Sequence, residues 1–288
     1  MADKLDIAFI ILNYNIFDET VGCIDSLKSN IDTDKWKILV VDNASNNEIR
    51  EKLIFTYSKD NIVELLFLDT NLGFAKGNNA GIDYIREKYE VEFLCCINND
   101  TLLETKRFYH KLKEIYENKK VAVIGPKIFL RNGDVQPILG KLQSRKYYLK
   151  KLAKKEKEKF WFYLLKRYVN NLFIVKLLRK IKDIKLINGA YVEQVDIVLH
   201  GCFLIFTPLF FGEMKGFEPD TFLFREEEIL YYNIKKHNLI SLYSPQLVIK
   251  HLEDVSTESI CNTNRSKYEF FRKYQIDSLR ILVKKMEM

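Results

Sequence analysis

Apolar and polar positions over the first 130 residues fall into a repeating rhythm. Short, nearly continuous apolar runs at residues 7–12, 37–41, 63–68 and 92–97 alternate with longer segments, 18–29, 48–58, 76–88 and 106–118, of helical character. Val21, Ile24 and Leu27 in the first of these segments show the helical spacing, whereas the short runs suit strands buried on both faces. Four strand and helix alternations predict an α/β fold whose sheet is largely parallel and covered by helices on both faces. A further apolar run at 121–124 ends the alternation. Beyond it come a basic segment, a predicted strand over 195–206, an acidic and aromatic stretch over 216–232, and a polar loop leading to a helix over 264–285.

Three predicted strands stop at short polar side chains. They are Asn13-Tyr14-Asn15 after the first, Asp42-Asn43-Ala44-Ser45 after the second and Asn98-Asn99-Asp100 after the fourth. Open α/β sheets bind ligands at the carboxyl ends of their strands, so three such junctions predict a polar crevice. Asp and Asn also form turns and cap helices, and an Asx turn over Asp42 to Ser45 is the alternative there. Asp100 has the hard oxygen chemistry that a divalent cation needs. Gly73 and Gly77 at the start of the third helix would allow close backbone approach, either to a diphosphate at the amide-rich helix terminus or to a strand packed tightly against the helix.

Composition bounds the class. At 288 residues, 47% of them hydrophobic, the chain can bury one substantial core. Five cysteines, two of them the adjacent Cys95 and Cys96, lack zinc-like spacing and are expected to be reduced core residues. Asp3 and Asp6 with only a short apolar run after them predict no signal peptide, and no apolar stretch is long enough to span a membrane. The net charge of +7 is uneven. Residues 141–185 carry 16 Lys and Arg against 3 acids, a net of +13, and the remaining chain carries 30 against 36, a net of −6.

The motifs together carry a resemblance. Ile11-Leu12-Asn13-Tyr14-Asn15, Val40-Val41-Asp42-Asn43-Ala44-Ser45, the segment Asn71-Leu72-Gly73-Phe74-Ala75-Lys76-Gly77-Asn78-Asn79, Asn98-Asn99-Asp100, and Gly216-Phe217-Glu218 running to Phe224-Arg225-Glu226-Glu227 follow one another in order. In order and spacing they resemble bacterial family 2 glycosyltransferases of the GT-A fold, and among these the rhamnosyltransferase-type enzymes of surface-polysaccharide assembly. The likeness is dense over the first 130 residues and resumes over 196–256.

It implies one domain over 1–288 with a Rossmann-like, mostly parallel mixed sheet, helices on both faces and a basic amphipathic helical insert at about 141–187. It implies inverting transfer of a sugar, rhamnose among the candidates, from a nucleoside diphosphate sugar to a surface-polysaccharide or polyprenyl-diphosphate-linked glycan. On the donor side it assigns Asn13, Tyr14, Asp42, Asn43, Asn71, Gly73, Asn78 and Asn99. It assigns Asp100 and His251 to a divalent metal, Mg2+ or Mn2+, with Ser256 matching the serine that follows. The catalytic base is Glu227 or Glu226. Glu227 stands where the family has Asp, and the acid usual two positions on is Ile229, which leaves the choice between the two open. His200 lies near the acceptor-side glycine of the family.

The basic segment interleaves Lys with Tyr147, Tyr148 and the run Phe160 to Leu165, followed by Leu172, Phe173, Ile174, Val175, Leu177 and Leu178. Such a pattern suits an anionic membrane interface and predicts a cytoplasmic protein held peripherally on the inner face of the cell membrane. Packing on the catalytic domain or against a second copy in a homodimer is the alternative. Nucleic acid is not expected, because the rest of the chain is acidic and shows no nucleic-acid-binding motif. Two other classes stay in view. A nucleotidyltransferase would need a Gly-rich, basic triphosphate loop near the first strand, which is absent, and a non-catalytic glycan-binding scaffold would not need both Asp100 and the Glu226 to Glu228 triplet.

Overall fold

The computed structural model describes residues 3–170, 187–252 and 263–287. The alternation forms as β1 (Asp3–Asn13), α1 (Asp18–Lys28), β2 (Trp36–Asp42), α2 (Asn47–Tyr57), β3 (Val63–Phe67), α3 (Gly73–Lys88), β4 (Tyr89–Asn98), β5 (Thr101–Leu103), α4 (Phe108–Lys119) and β6 (Val123–Leu130). The chain continues through α5 (Arg145–Glu156), α6 (Phe160–Asn170), β7 (Gln194–Val195), β8 (Phe203–Phe206), α7 (Pro208–Glu213), α8 (Glu226–Lys236), β9 (Ser241–His251) and α9 (Asn264–Lys285).

The strands form one mixed sheet in the order β3-β2-β1-β4-β8-β6-β9-β5, with β7 on another stretch of β9. β1 is parallel to β2 and β4, and β2 to β3. β8 enters antiparallel between β4 and β6, and β6 and β9 run parallel. The two-residue period of a strand explains why the runs are almost wholly apolar. Ile7, Phe9, Ile11, Phe93, Cys95 and Ile97 face a core built with α1, α2 and α4. Ala8, Ile10, Leu94 and Cys96 face the opposite core, with Ile82 and Ile85 of α3 and Leu230 and Ile234 of α8.

Two expectations need correction. The predicted strand over 195–206 is two short strands, because Asp196 takes a left-handed φ of 56° and the chain loops past His200 and Gly201 before β8 begins. Tyr148 of α5 packs inward, against Ile229, Leu279, Leu282 and Val283. Ile229 is apolar because it lies under α5 and α9, which accounts for the departure from the family pattern. Leu172, Phe173, Ile174, Val175, Leu177 and Leu178 of the insert, Ser256 and Cys261 lie outside the described residues. Cys23, Cys95, Cys96 and Cys202 are buried free thiols, and burial pushes the first three well above the usual thiol range. Among the described residues, no helix is long and apolar enough to cross a membrane.

Candidate functional site

The polar strand ends meet in a buried hydrogen-bonded lattice. Asn13, fully buried at the end of β1, donates to Asp42 Oδ1 at 3.2 Å and accepts from Thr20 Oγ1 at 3.0 Å and Asn99 Nδ2 at 3.1 Å. Asp42 accepts from the Ser45 amide at 3.1 Å, which is the predicted local turn, and from Arg50 Nε at 2.9 Å. Arg50 was not anticipated from sequence. Its signal is an Arg on the first turns of the helix that follows a strand-end acid. A carboxylate has about four acceptor positions, so Asp42 keeps roughly one for a ligand. Tyr14 is partly buried beside this lattice in the chain.

The Asn71 to Asn79 segment is packed closely at the head of α3. Asn43 Oδ1 takes the Leu72 amide at 2.8 Å, Asn71 Oδ1 takes the Gly73 amide at 2.9 Å, and the Phe222 carbonyl takes the Phe74 amide at 2.8 Å. Three amides at the head of α3 are therefore already satisfied by protein groups. Gly73 has φ +78°, and a Cβ there would lie 2.3 Å from the Phe222 carbonyl oxygen. Gly77 is similarly met by Leu12 at 2.6 Å. Asn78 is buried and bonds back to the Phe74 carbonyl at 3.0 Å, so it faces its own helix. Its neighbour Asn79, overlooked in the sequence, grips both the amide and the carbonyl of Phe217, at 2.8 and 2.9 Å.

Asp100 and His251 come together through the sheet. Thr101 of β5 pairs with His251 of β9, which sets His251 Nε2 3.2 Å from Asp100 Oδ1. Asp100 Oδ1 and His251 Nδ1 are nonetheless buried without a hydrogen-bond partner. Orphaned acceptor atoms of this kind fit a divalent cation, and a mixed carboxylate and imidazole pair suits Mn2+ at least as well as Mg2+. Among the described residues no group of three or more His, Cys, Asp or Glu is arranged around a metal, so further ligands would have to come from substrate or solvent.

His200 links this pair to a neighbouring cavity. Its ring lies 5.7 Å from that of His251, and its Nδ1 accepts from the Cys202 amide at 3.2 Å. Burial, and then the neighbouring His251, hold it down to about 4, so it is neutral at pH 7. The cavity, of about 360 Å3, is lined by Asn98, His200, Gly201, Arg225, Glu226 and Glu227, among others. Glu226 opens α8. It is buried, its Oε1 has no partner, and burial followed by the charge of Glu227 raises it from an ordinary 4.5 to about 8. Glu227 is more open, and its Oε1 accepts from the Gly201 amide at 3.3 Å. Glu228 pairs with Arg225. Phe224 and Arg225, both with left-handed φ of 74° and 67°, make the sharp turn that aims this acidic helix start into the cavity. α9 holds that turn in place: Tyr274 stacks on Phe222 at 4.4 Å, and Ser278 donates to the Leu223 carbonyl at 2.9 Å.

A mixed sheet with one parallel half, polar strand ends and an acidic helix across the crevice is the architecture of the GT-A fold. Residues 8–176 match the family model described as glycosyl transferase family 2, and the chain belongs to that family. Curated relatives include the bifunctional glycosyltransferase pgtA of Dictyostelium discoideum, 26% identical over 125 residues, which are 43% of this chain and 16% of that protein. Another is the low-salt glycan biosynthesis hexosyltransferase Agl10 of Haloferax volcanii, 27% identical over 128 residues, 44% of this chain and 38% of that one. The match thus spans well under half the length of each relative.

Among solved structures, GalNAc-T7 with UDP, GalNAc and Mn2+ superposes with a TM-score of 0.58 at 13% identity, covering 87% of this chain and 44% of that one. S. aureus TarS gives 0.55 at 14% identity, covering 94% and 43%. At these identities the likeness is one of fold.

Proposed function

We propose that the protein transfers a sugar from a nucleoside diphosphate donor to a hydroxyl of a glycan acceptor, with inversion at the anomeric carbon. The observation that carries this reading is the adjacency of two sites. Glu226 and Glu227 share a cavity with His200, and His200 abuts the His251 and Asp100 pair. This supports a base on one side and a diphosphate on the other.

Glu227 is the base. It opens to the cavity, whereas Glu226, raised to about 8, keeps its proton at neutral pH and spares the site a second adjacent charge. The acceptor hydroxyl gives its proton to the Glu227 carboxylate as its oxygen bonds to the anomeric carbon. The bond from that carbon to the diphosphate breaks, and the nucleoside diphosphate leaves with the electron pair. A divalent ion held by Asp100 and His251 supplies, when bound, positive charge to the departing diphosphate. Asp42, with Asn13 and Tyr14, receives the nucleoside. The Mn2+ beside UDP in the GalNAc-T7 structure supports a metal of this kind, and the name of the Haloferax relative supports hexosyl transfer in glycan assembly.

The motif likeness keeps a deoxyhexose such as rhamnose among the candidate donors and supports bacterial surface-polysaccharide assembly as the setting. Exposed Trp161, Phe162, Leu165 and Tyr168 on α6, within the basic segment, support peripheral attachment to an anionic, cytoplasm-facing membrane surface.

The test is nucleotide release across a panel of nucleoside diphosphate sugars, with Mn2+, Mg2+ or chelator. One donor is expected to support metal-dependent release that Asp100→Ala abolishes, and the product anomer read by NMR is expected to be inverted. A retained anomer would overturn the stereochemical assignment. Silence across the panel, together with no donor binding, would favour a non-catalytic glycan-binding scaffold.

A further inference from the structure

A second cavity, of about 480 Å3, adjoins the first. Lys150, Lys151, Lys154 and Lys155 line it from α5, and Arg225 and Gln275 complete the wall. Arg225 and Gln275 also line the cavity that holds Glu226 and Glu227, so the two spaces meet at these side chains. Five cationic groups here face one lining carboxylate, Glu158, and Lys155 takes that one at 2.7 Å. Among the described residues, Lys150, Lys151 and Lys154 form no ion pair.

Tyr148 anchors α5 on Ile229, Leu279 and Leu282, which sets the backbone from which the lysines project; Lys151 and Lys155 are half-buried, and Lys150 and Lys154 are exposed at the rim. Lys151 is held below the usual lysine range, by burial first and by the Arg225 guanidinium next, with Glu228 acting the other way, so like charges crowd together here. Arg225 Nη1 is engaged by Glu228, yet its Nε is buried without a hydrogen-bond partner. An anion rich in acceptor oxygens would offset this crowding of cations. Phosphate chemistry suits both the point charges of lysine and the directional donors of arginine.

We propose that this cavity binds a phosphate or diphosphate group of the acceptor, whose sugar end reaches Glu227 across Arg225 and Gln275. That the anion belongs to an acceptor rests on the transferase reading above; the anion site does not.

Inorganic pyrophosphate is the first probe, titrated by calorimetry in chelator so that no metal recruits it to Asp100. The expected result is binding that weakens at least tenfold in the Lys150→Ala/Lys154→Ala double variant and changes less than twofold in Asp100→Ala. No binding, equal binding by the lysine variant, or loss in Asp100→Ala instead would each overturn the site. The second measurement compares transfer to a sugar on a short prenyl diphosphate with transfer to the same sugar on a neutral alkyl chain. The wild type is expected to favour the diphosphate at least tenfold in kcat/KM, and the double variant to lose the preference through KM. Equal use of both acceptors by the wild type would overturn the acceptor assignment.

Lipid headgroups are separated by sedimentation with phosphatidylglycerol and phosphatidylcholine vesicles. Vesicle binding that falls in the double variant while its pyrophosphate affinity stays intact would overturn the proposal in favour of a lipid surface. If no donor supports nucleotide release, the transferase reading fails, and the calorimetry still decides the cavity.

Discussion

Glu226 and Glu227 are adjacent in sequence and differ in surroundings: Glu226 is buried with an unpartnered Oε1, whereas Glu227 opens to the cavity and accepts from the Gly201 amide. If Glu227 is the base, as proposed, Glu227→Gln keeps shape and removes the proton acceptor, so kcat should fall by about 10²- to 10⁴-fold with little change in donor affinity, measured by steady-state kinetics and donor titration. Glu226 gives a different signature. Its folded value, about 8, lies above the ordinary 4.5, so the native state holds a proton that the unfolded chain releases between those values. The stability from keeping Glu226 neutral is fully present below about 4.5 and declines as pH rises through about 8. Urea midpoints across that range should show Glu226→Gln flattening the decline; parallel curves for variant and wild type would refute the assignment.

Single residues also show what the sequence could and could not disclose. Asp42, Asn99 and Asp100 stood out because polar side chains at strand ends are conspicuous after apolar runs. The ion pair from Arg50 to Asp42 and the grip of Asn79 on Phe217 depend on how helices lie on the sheet, which local pattern does not encode.

Among the elements, α3 was the most open to misreading. Its Gly73 and Gly77 offered either an anion site or a packing seam, and the close approach of Phe222 and Leu12 favours the seam. Gly73→Ala should then cost more than the roughly 1–3 kcal/mol of a strained left-handed backbone, because the Phe222 carbonyl must also move. Gly133→Ala is the internal control: its φ is also positive, at 83°, but nothing lies within 4 Å of a Cβ there. Chemical denaturation of the two variants separates the backbone cost from the contact.

Helix α6 presents the reverse case, with Trp161 77% and Tyr168 71% exposed. Trp161→Ser with Leu165→Ser should reduce co-sedimentation with phosphatidylglycerol vesicles several-fold and leave the folded-state circular dichroism unaltered. Vesicle binding that the double substitution does not change would exclude this face as the attachment surface. The helices of the first half were legible from periodicity alone. β5 was not, because three residues carry too little pattern, and its value lies in pairing with β9 to bring His251 to Asp100.

At the scale of the molecule, the parallel half of the sheet could be read from its order of strands and helices, and the antiparallel insertion of β8 could not. A strand placed between β4 and β6 by residues far along the chain is a long-range decision, set by packing against both neighbours. The run over 195–206, apolar apart from Asp196, His200 and Gly201, read as one strand because Ile197, Val198 and Leu199 are buried as loop, not strand. The same distance in sequence conceals the second cavity, whose lysines, arginine and glutamine come from α5, the turn before α8, and α9.

The position of β8 has a further meaning for how such a molecule can change. The chain leaves the sheet after Leu130, touches it again at Gln194 and Val195 on β9, and at Phe203 enters beside the strand it left, with Val123 and Ile124 paired to Phe206 and Ile205. Closing an excursion between two fixed neighbouring points costs entropy that grows only with the logarithm of its length, about 0.6 kcal/mol for each doubling. Closure entropy therefore sets little limit on the length of this excursion, and what ties it to the frame is packing, through Val135 and Ala190 in the main core and Tyr148 on Ile229 beside Glu227. If the lysine-lined cavity takes the acceptor as proposed, a graft of that excursion that keeps Val135, Tyr148 and Ala190 is the economical way to redirect acceptor preference without rebuilding the strand ends.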